Sequence, residues 1–281
     1  MTKIITHGGQ AHRDEFIACC LIAALDRGTD QIQRVPHSLF HFGMQQVGDY
    51  VVDVGLEHIP SKRRFDHHQF GKNGPCEAAF VLVARFFGMT ECESIFQWWQ
   101  VSSEMDVNGP HHVAKEFGLL PDVLFALMSP IEAQLLRMFE QHEIIDGQFF
   151  ALMRSMGIGW SEYHHNTFRA RKEYAEKAVV RNSGCVPYLD AASISIDNQH
   201  SAVARKMAVD NSCAVIVSLD PTGPGLSLFR VDDHPAIDFS QLENDPEILF
   251  AHKGGFIAKT KDRAVEVDRL INRAVDTSNI F

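Results

Sequence analysis

His7, His12 and Asp14 lie within eight residues of one another near the start of the chain. Three more short segments carry the same residue types: Asp53 at the end of a β-branched run, the triplet Asp66-His67-His68, and Asp106 in Met105-Asp106-Val107-Asn108-Gly109. Imidazole and carboxylate without thiolate form the donor set of Mn²⁺, Fe²⁺ or Zn²⁺, and the excess of oxygen favours Mn²⁺. Asp14, Asp53, Asp66 and Asp106 gathered in one place would repel one another and lose hydration, so such a cluster holds together only around cations. Taken singly, each residue has a plainer reading. His7 alone is a capping or core histidine, and Asp53 alone a turn cap. The four segments together carry the metal reading.

For these segments to meet, they must sit at neighbouring strand ends, since open parallel sheets bind ligands outside the carboxyl ends of their strands. The sequence predicts that arrangement. Lys3–Thr6 reads as a strand, residues 7–12 as a loop, and Arg13–Asp26 as a helix with apolar residues at helical spacing. Gln31–Pro36, Tyr50–Gly55 and Arg63–His67 read as strands, and Pro75–Gly88 as a helix opened by proline and closed by glycine. Strands alternating with helices indicate a mainly parallel sheet with helices on both faces. Helices follow over Glu91–Ser103, Val113–Phe117, Pro121–Gln141 and Phe168–Val180, with Gly157-Ile158-Gly159 interrupting them. Arg181–Gly184 reads as a linker. Beyond it come a strand at Ala191–Ile196, a helix at Ser201–Asp210, a hairpin of Ala214–Leu219 with Leu226–Val231, and a last helix at Arg263–Val275. The expected organisation is α/β in two domains, 1–184 and a smaller 185–281, with a helical region between the sheets.

The chain has 281 residues, about two domains' worth, and is long enough to bury a core without disulfides or structural zinc. It is 45% apolar and 22% charged, which excludes bulk disorder. Lys and Arg number 26 against 36 Asp and Glu, a net charge of −10 that disfavours non-specific binding of long nucleic acid. The six cysteines form no CxxC pair, and the longest apolar run, Phe16–Leu25, is too short for a membrane span. The N-terminus lacks the layout of a signal peptide. A cytoplasmic protein with no membrane partner is expected.

The order of motifs resembles the DHH phosphoesterases and, within them, the melanocyte-proliferating-gene family of metal-dependent exonucleases. Thr6-His7-Gly8-Gly9-Gln10-Ala11-His12-Arg13-Asp14-Glu15 is similar to the family's opening Thr-His-x-Gly-x-x-His-x-Asp-Glu. Val51–Gly55 matches its Val-Val-Asp-Val-Gly strand, Arg64–Gln69 its Arg-x-Asp-His-His-Gln, and Asp106 with Asn108-Gly109 its later acidic motif. His252-Lys253-Gly254-Gly255-Phe256-Ile257 matches its C-terminal His-x-x-Gly-Phe-Ile. Two positions depart: Leu56 and Ala258-Lys259 stand where the family carries glycine.

The resemblance implies a DHH-type catalytic domain followed by a substrate-binding domain. It also implies two divalent ions, Mn²⁺ with Mg²⁺ as the alternative, one held by His7, His12 and Asp53 and the other by Asp14, Asp53, His67 and Asp106. Asp53 would bridge them. Asp66 would orient its neighbours by hydrogen bonds, and His68 would contact the phosphate or protonate the leaving oxygen. His252, Gly254, Gly255 and Arg230 would grip the substrate. The implied activity is a phosphodiesterase, specifically an exonuclease hydrolysing short single-stranded RNA or oligonucleotides through a water activated by two metal ions. The alternatives are hydrolysis of a small phosphate compound (dinucleotide, cyclic dinucleotide or pyrophosphate) and a non-catalytic binding protein that keeps the fold. A homodimer is compatible with this reading. Trp98-Trp99, His111-His112, His164-His165 and the basic stretch Arg169–Lys172 read as structural or surface features.

Overall fold

The computed structural model describes residues 2–73, 77–126 and 129–275. The chain is mixed α/β with two sheets, and it divides into two compact units, Met1–His164 and His165–Phe281.

In the first unit the elements run β1 (Thr2–His7), α1 (Arg13–Leu25), β2 (Thr29–Val35), β3 (Tyr50–Val52), β4 (His58–Ile59), β5 (Arg64–Phe65), α2 (Ala79–Phe86), α3 (Cys92–Ile95), α4 (Gln97–Asn108), α5 (Pro110–Glu116), α6 (Pro121–Ala126), α7 (Pro130–Glu140), β6 (Ile144–Ile145) and the long α8 (Gly147–Lys177), whose residues from His165 onward belong to the second unit. Strand order is β4-β5-β3-β1-β2-β6. The inner strands β5, β3, β1 and β2 pair in parallel, and the edges β4 and β6 are antiparallel. Because β5, β3 and β1 are parallel neighbours, the residues that follow them emerge side by side at one end of the sheet. Those residues are Asp66–His68, Asp53 and His7. Ile5, Val35, Val51 and Val54 pack on one face beneath Phe40, Phe42 and Met44.

Several boundaries differ from the sequence reading. The strand expected to Gly55 stops at Val52, because Asp53 turns into the left-handed region at φ 52. Glu91–Ser103 is not one helix: Phe96, with extended backbone, separates α3 from α4. Pro121–Gln141 likewise begins afresh at Pro130, where proline suits a first helical position. The proline expected to open α2, Pro75, lies outside the described residues. Gly157-Ile158-Gly159 does not interrupt a helix, since α8 runs through it. A Cβ on Gly157 would lie 2.0 Å from the Cys20 carbonyl oxygen, so this glycine lets α8 approach the backbone of α1.

The second unit contains β7 (Val179–Ser183), β8 (Val186–Ala191), α9 (Ser201–Asp210), β9 (Val215–Leu219), β10 (Leu226–Arg230), β11 (Ile248–Ala251), β12 (Ile257–Thr260) and α10 (Val267–Arg273), in sheet order β11-β12-β10-β9-β8-β7. The linker expected at Arg181–Gly184 is instead strand β7 and its turn, with Gly184 at φ 59, so a boundary at 184 would cut a hairpin. β8 and β9 are parallel and joined through α9; the remaining pairs are antiparallel. Leu228, Ala258, Phe239, Leu242, Leu270 and Ile271 fill one core of this unit, and Leu189, Ile216, Val203, Ala204 and Tyr174 fill another. Among the described residues no helix is long and apolar enough to cross a membrane.

Candidate metal centre

All six side chains expected to hold metal come together in the first unit. His7 ends β1, His12 precedes α1, Asp14 lies in the first turn of α1, Asp53 follows β3, His67 follows β5, and Asp106 lies on α4. Asp106 is thus carried by a helix, not by a strand end. Asp14, Asp53, Asp66, His7 and His67 are buried.

Asp53 faces three imidazoles at once. Its Oδ2 lies 3.3 Å from His7 Nε2, and its Oδ1 lies 3.4 Å from both His67 Nε2 and His68 Nδ1. His67 Nε2 also faces Asp14 Oδ2 at 3.3 Å and Asp106 Oδ2 at 3.0 Å. One ring nitrogen therefore meets three carboxylates, more than a single N–H can serve. Both Asp53 Oδ1 and His67 Nε2 are buried without a hydrogen bond of good geometry. These donor spacings suit an ion. With bonds of about 2.1 Å, adjacent ligand atoms stand about 3.0 Å apart in an octahedron and about 3.4 Å apart in a tetrahedron.

The electrostatics agree. Burial and the charges of Asp53 and Asp106 push the Asp14 carboxyl well above its ordinary range. Burial alone would lower both His7 and His67. The neighbouring carboxylates of Asp53 and Glu15 nevertheless lift His7 to about 10, and those of Asp106, Asp14 and Asp53 lift His67 to about 12. Burial works to raise Asp53, yet His67 and His7 outweigh it and hold the carboxyl at about 2. The carboxylates collect whatever positive charge is within reach, and divalent cations would supply it without protonating the imidazoles.

Local structure fixes each side chain. Both Asp14 oxygens accept amides from the first turn of α2, Ala79 N at 2.8 Å and Phe80 N at 2.7 Å, so this carboxylate is also a long-range cap. Asp66 is fully engaged: Oδ2 accepts Leu56 N at 2.7 Å, and Oδ1 accepts His68 N at 3.0 Å and faces His68 Nδ1 at 2.8 Å. That ties the loop after β3 to the loop after β5. Leu56 has φ 58, a conformation glycine adopts without strain, which is why glycine would be at home there. The His68 side chain is 49% exposed, its ring anchored at Nδ1.

Three participants were not singled out from the sequence. Glu15 accepts the His12 amide at 2.8 Å and lies 3.3 Å from His7 Nε2, and His7, His12 and Glu15 form a group of ligand geometry, as do Asp53, His67 and His68, and Asp14, His67 and Asp106. Arg34, buried, donates to Gly9 O and Phe139 O and lies 3.6 Å from Glu15, holding the loop between His7 and His12. His37 stacks on His7 with ring centroids 5.1 Å apart.

In the second unit, His252 Nδ1 accepts the Gly254 amide at 2.9 Å, and Gly255 has φ 67 with Asp238 close above it. The Arg230 guanidinium is held by the Ile237 carbonyl and by Asp233 at 2.9 Å. Elsewhere, Trp99 is fully buried, His164 faces the Thr90 carbonyl at 2.7 Å, and His112 lies with Glu104 and Glu116 on an exposed surface of α4 and α5.

Comparison with known proteins places the resemblance where the metal-site strands lie. Residues 3–89 match the model of the uncharacterised protein family UPF0160, a model whose own name is MYG1 exonuclease. The MYG1 protein of Chlamydia pneumoniae is 31% identical over 93 residues, 32% of this chain and 31% of that protein. The human MYG1 exonuclease is 41% identical over 70 residues, 24% of this chain and 17% of that protein. The similarity thus spans about a third or less of the length of these relatives. A pGpG-specific phosphodiesterase of Vibrio cholerae aligns over 96% of this chain and 95% of its own, at 11% identity and a TM-score of 0.30, too remote to carry fold or activity. Residues 3–89, the segment that supplies His7, His12, Asp14, Asp53 and His67, are thus the part of this chain that is similar to the MYG1 family model.

Proposed function

We propose that this protein is a divalent-metal-dependent phosphodiesterase, most simply an Mn²⁺ exonuclease that shortens single-stranded oligonucleotides from an end. The observation that carries the reading is the Asp53 carboxylate, one oxygen toward His7 and the other toward His67 and His68, amid buried Asp14 and nearby Asp106. His7, His12 and Asp53 would hold one ion, and Asp14, Asp53, His67 and Asp106 the other. Glu15 is available to the first group. Bound there, divalent ions supply charge neutralisation at a phosphodiester and a more acidic water.

The chain's own residues then have distinct tasks. Asp66 orients His68 through Nδ1, which leaves Nε2 to hydrogen-bond a phosphate oxygen or hand a proton to the leaving oxygen. Arg34 and Glu15 keep the His7–His12 loop in place. In the second unit, exposed Lys253 and Gly254 at the tip of the His252–Gly255 turn would meet a phosphate, while the amides of Gly254 and Gly255 are spent within the turn. The MYG1 relatives named as exonucleases support this substrate class, as does the net charge of −10, which discourages non-specific binding of long nucleic acid.

The test is a defined ladder of end-labelled single-stranded RNA with the Mn²⁺-loaded chain, run beside pyrophosphate and a cyclic dinucleotide. Stepwise release of mononucleotides is expected. Turnover of the small phosphates alone would move the substrate class, and a metal-replete sample inert on every phosphoester would overturn the reading.

A further inference from the structure

In the second unit the sheet face covered by α9 over β8 and β9 continues, open, across β10, β12 and β11. Register shows which side chains share it. Phe229 on β10 is paired with Ile216 on β9, whose side chain belongs to the core beneath α9, and with Ile257 on β12. Lys259 lies two residues beyond Ile257 and is paired with Phe250 on β11. With side chains alternating along β10 and β12, and with Phe250 brought opposite Lys259 by a bulge in β11, Phe229, Ile257, Lys259 and Phe250 share the uncovered side. Phe256, just before β12, joins them. Phe229, Phe250 and Phe256 are 40%, 46% and 37% exposed.

The rings form one continuous surface. Phe256 lies 6.4 Å from Phe229 in an edge-to-face arrangement and 4.1 Å from His252, which lies 6.3 Å from Phe250. Their backbone is fixed: Arg230 N donates to Phe256 O at 2.9 Å and His252 N to Ile257 O at 2.9 Å. Exposed Lys253 stands at the tip of the same turn, beside Gly254 and Gly255. The three phenylalanines expose on the order of 250 Å² in all, judged from the 150–250 Å² a buried aromatic covers. A stable protein interface needs about 800 Å² per partner. A small aromatic face edged by Lys253 and a glycine turn, with the Lys259 ammonium already held by Asp220 at 2.8 Å, instead has the size of a surface on which unpaired bases stack.

We propose that Phe229, Phe250 and Phe256 form a stacking platform for the unpaired bases of a single-stranded oligonucleotide, with Lys253 and the His252–Gly255 turn beside its phosphates. This deepens the proposed function and rests on it for the nature of the substrate. The platform selects for single strands, because bases in a duplex already stack on one another.

The test uses the metal-free full chain, so that nothing is cleaved, and a single-stranded RNA pentamer containing 2-aminopurine. Saturating wild-type protein quenches the 2-aminopurine emission if the base stacks; binding without quenching overturns the proposal. Phe229→Ala and Phe256→Ala each weaken pentamer binding about tenfold, Phe256→Tyr restores it, and an abasic pentamer binds all forms alike. Equal losses on the abasic pentamer, or no loss on the normal one, overturn the platform. So does a wild-type dimer in sedimentation velocity that Phe256→Ala dissociates, since the face then belongs to a second copy. Wild-type hydrolysis of bis(4-nitrophenyl) phosphate with Mn²⁺ is measured separately. Its absence counts against the phosphodiesterase reading and leaves the stacking result standing.

Discussion

Asp53 leaves strand β3 at φ 52, a left-handed backbone that costs a non-glycine residue on the order of 1 kcal/mol, and from there its two oxygens reach two different imidazole groups. Replacing it with asparagine keeps the shape and removes the charge. Asp53→Asn is expected to lose metal from both groups by elemental analysis and to slow turnover more than about a hundredfold, exceeding what loss of a supporting hydrogen bond costs. His68 behaves differently because Asp66 holds it at the rim, half exposed. His68→Ala should keep its metal yet lower kcat by about 10²–10⁴, the usual contribution of a positioned acid; loss of metal in that variant would reassign His68 as a ligand. Most of this cluster is legible in the sequence, because His7, Asp53 and Asp66-His67-His68 each follow a short β-branched or aromatic strand. Glu15 is not, since a capping box with the His12 amide already accounts for a glutamate there. Arg34 is hidden for another reason: it lies on a strand where a long cation reads as solvent-facing, and only the fold buries it.

At the scale of elements, helix α8 shows where local signals mislead. Gly157 and Gly159 together look like a break, yet they sit in one helix and meet different surroundings. A Cβ at Gly157 would strike the Cys20 carbonyl at 2.0 Å and Ala24 at 2.8 Å, whereas one at Gly159 would meet nothing within 4 Å. The same substitution should therefore have opposite signs. Gly157→Ala forces α8 away from α1 and is expected to cost about 2–3 kcal/mol, while Gly159→Ala should stabilise by roughly 0.5–1 kcal/mol through helix propensity. Denaturant midpoints of the two variants against the parent decide it. The strands and α1 are visible in sequence because their periodicity is local; the continuity of α8 is not, because it depends on a contact between residues more than a hundred positions apart. In the second unit, Asp245 joins the start of β11 to α10. It accepts Arg269 Nη1 at 2.7 Å and Nη2 at 3.0 Å, bonds Arg273, and is held down at about 2 chiefly by Arg269. A carboxyl lowered by folding contributes stability above its unfolded value of 3.8, and that contribution fades as pH falls from there toward 2. Asp245→Asn should accordingly unfold more readily than the parent at pH 6, with the difference shrinking below pH 3 in circular dichroism melts.

For the molecule as a whole, the two units differ in what holds them together. The second fills two cores on either side of its sheet. The first encloses a cluster of acids that its own histidines only partly neutralise, so its stability should depend on bound cations as the second unit's does not. Fluorescence can separate these contributions, because all three tryptophans, Trp98, Trp99 and Trp160, lie in the first unit. An ion that binds only the folded state at a hundred times its Kd adds about 2.7 kcal/mol, which in a domain of this size raises the midpoint by roughly 5–10 °C. Mn²⁺ is therefore expected to move the tryptophan-detected melting curve up by that amount and EDTA to reverse it, while Asp53→Asn shows no response to either. A curve indifferent to Mn²⁺ in the parent chain would mean that the histidines alone suffice to neutralise the cluster. The buried acids would then be an electrostatic network of the fold, and the catalytic reading would lose its physical basis.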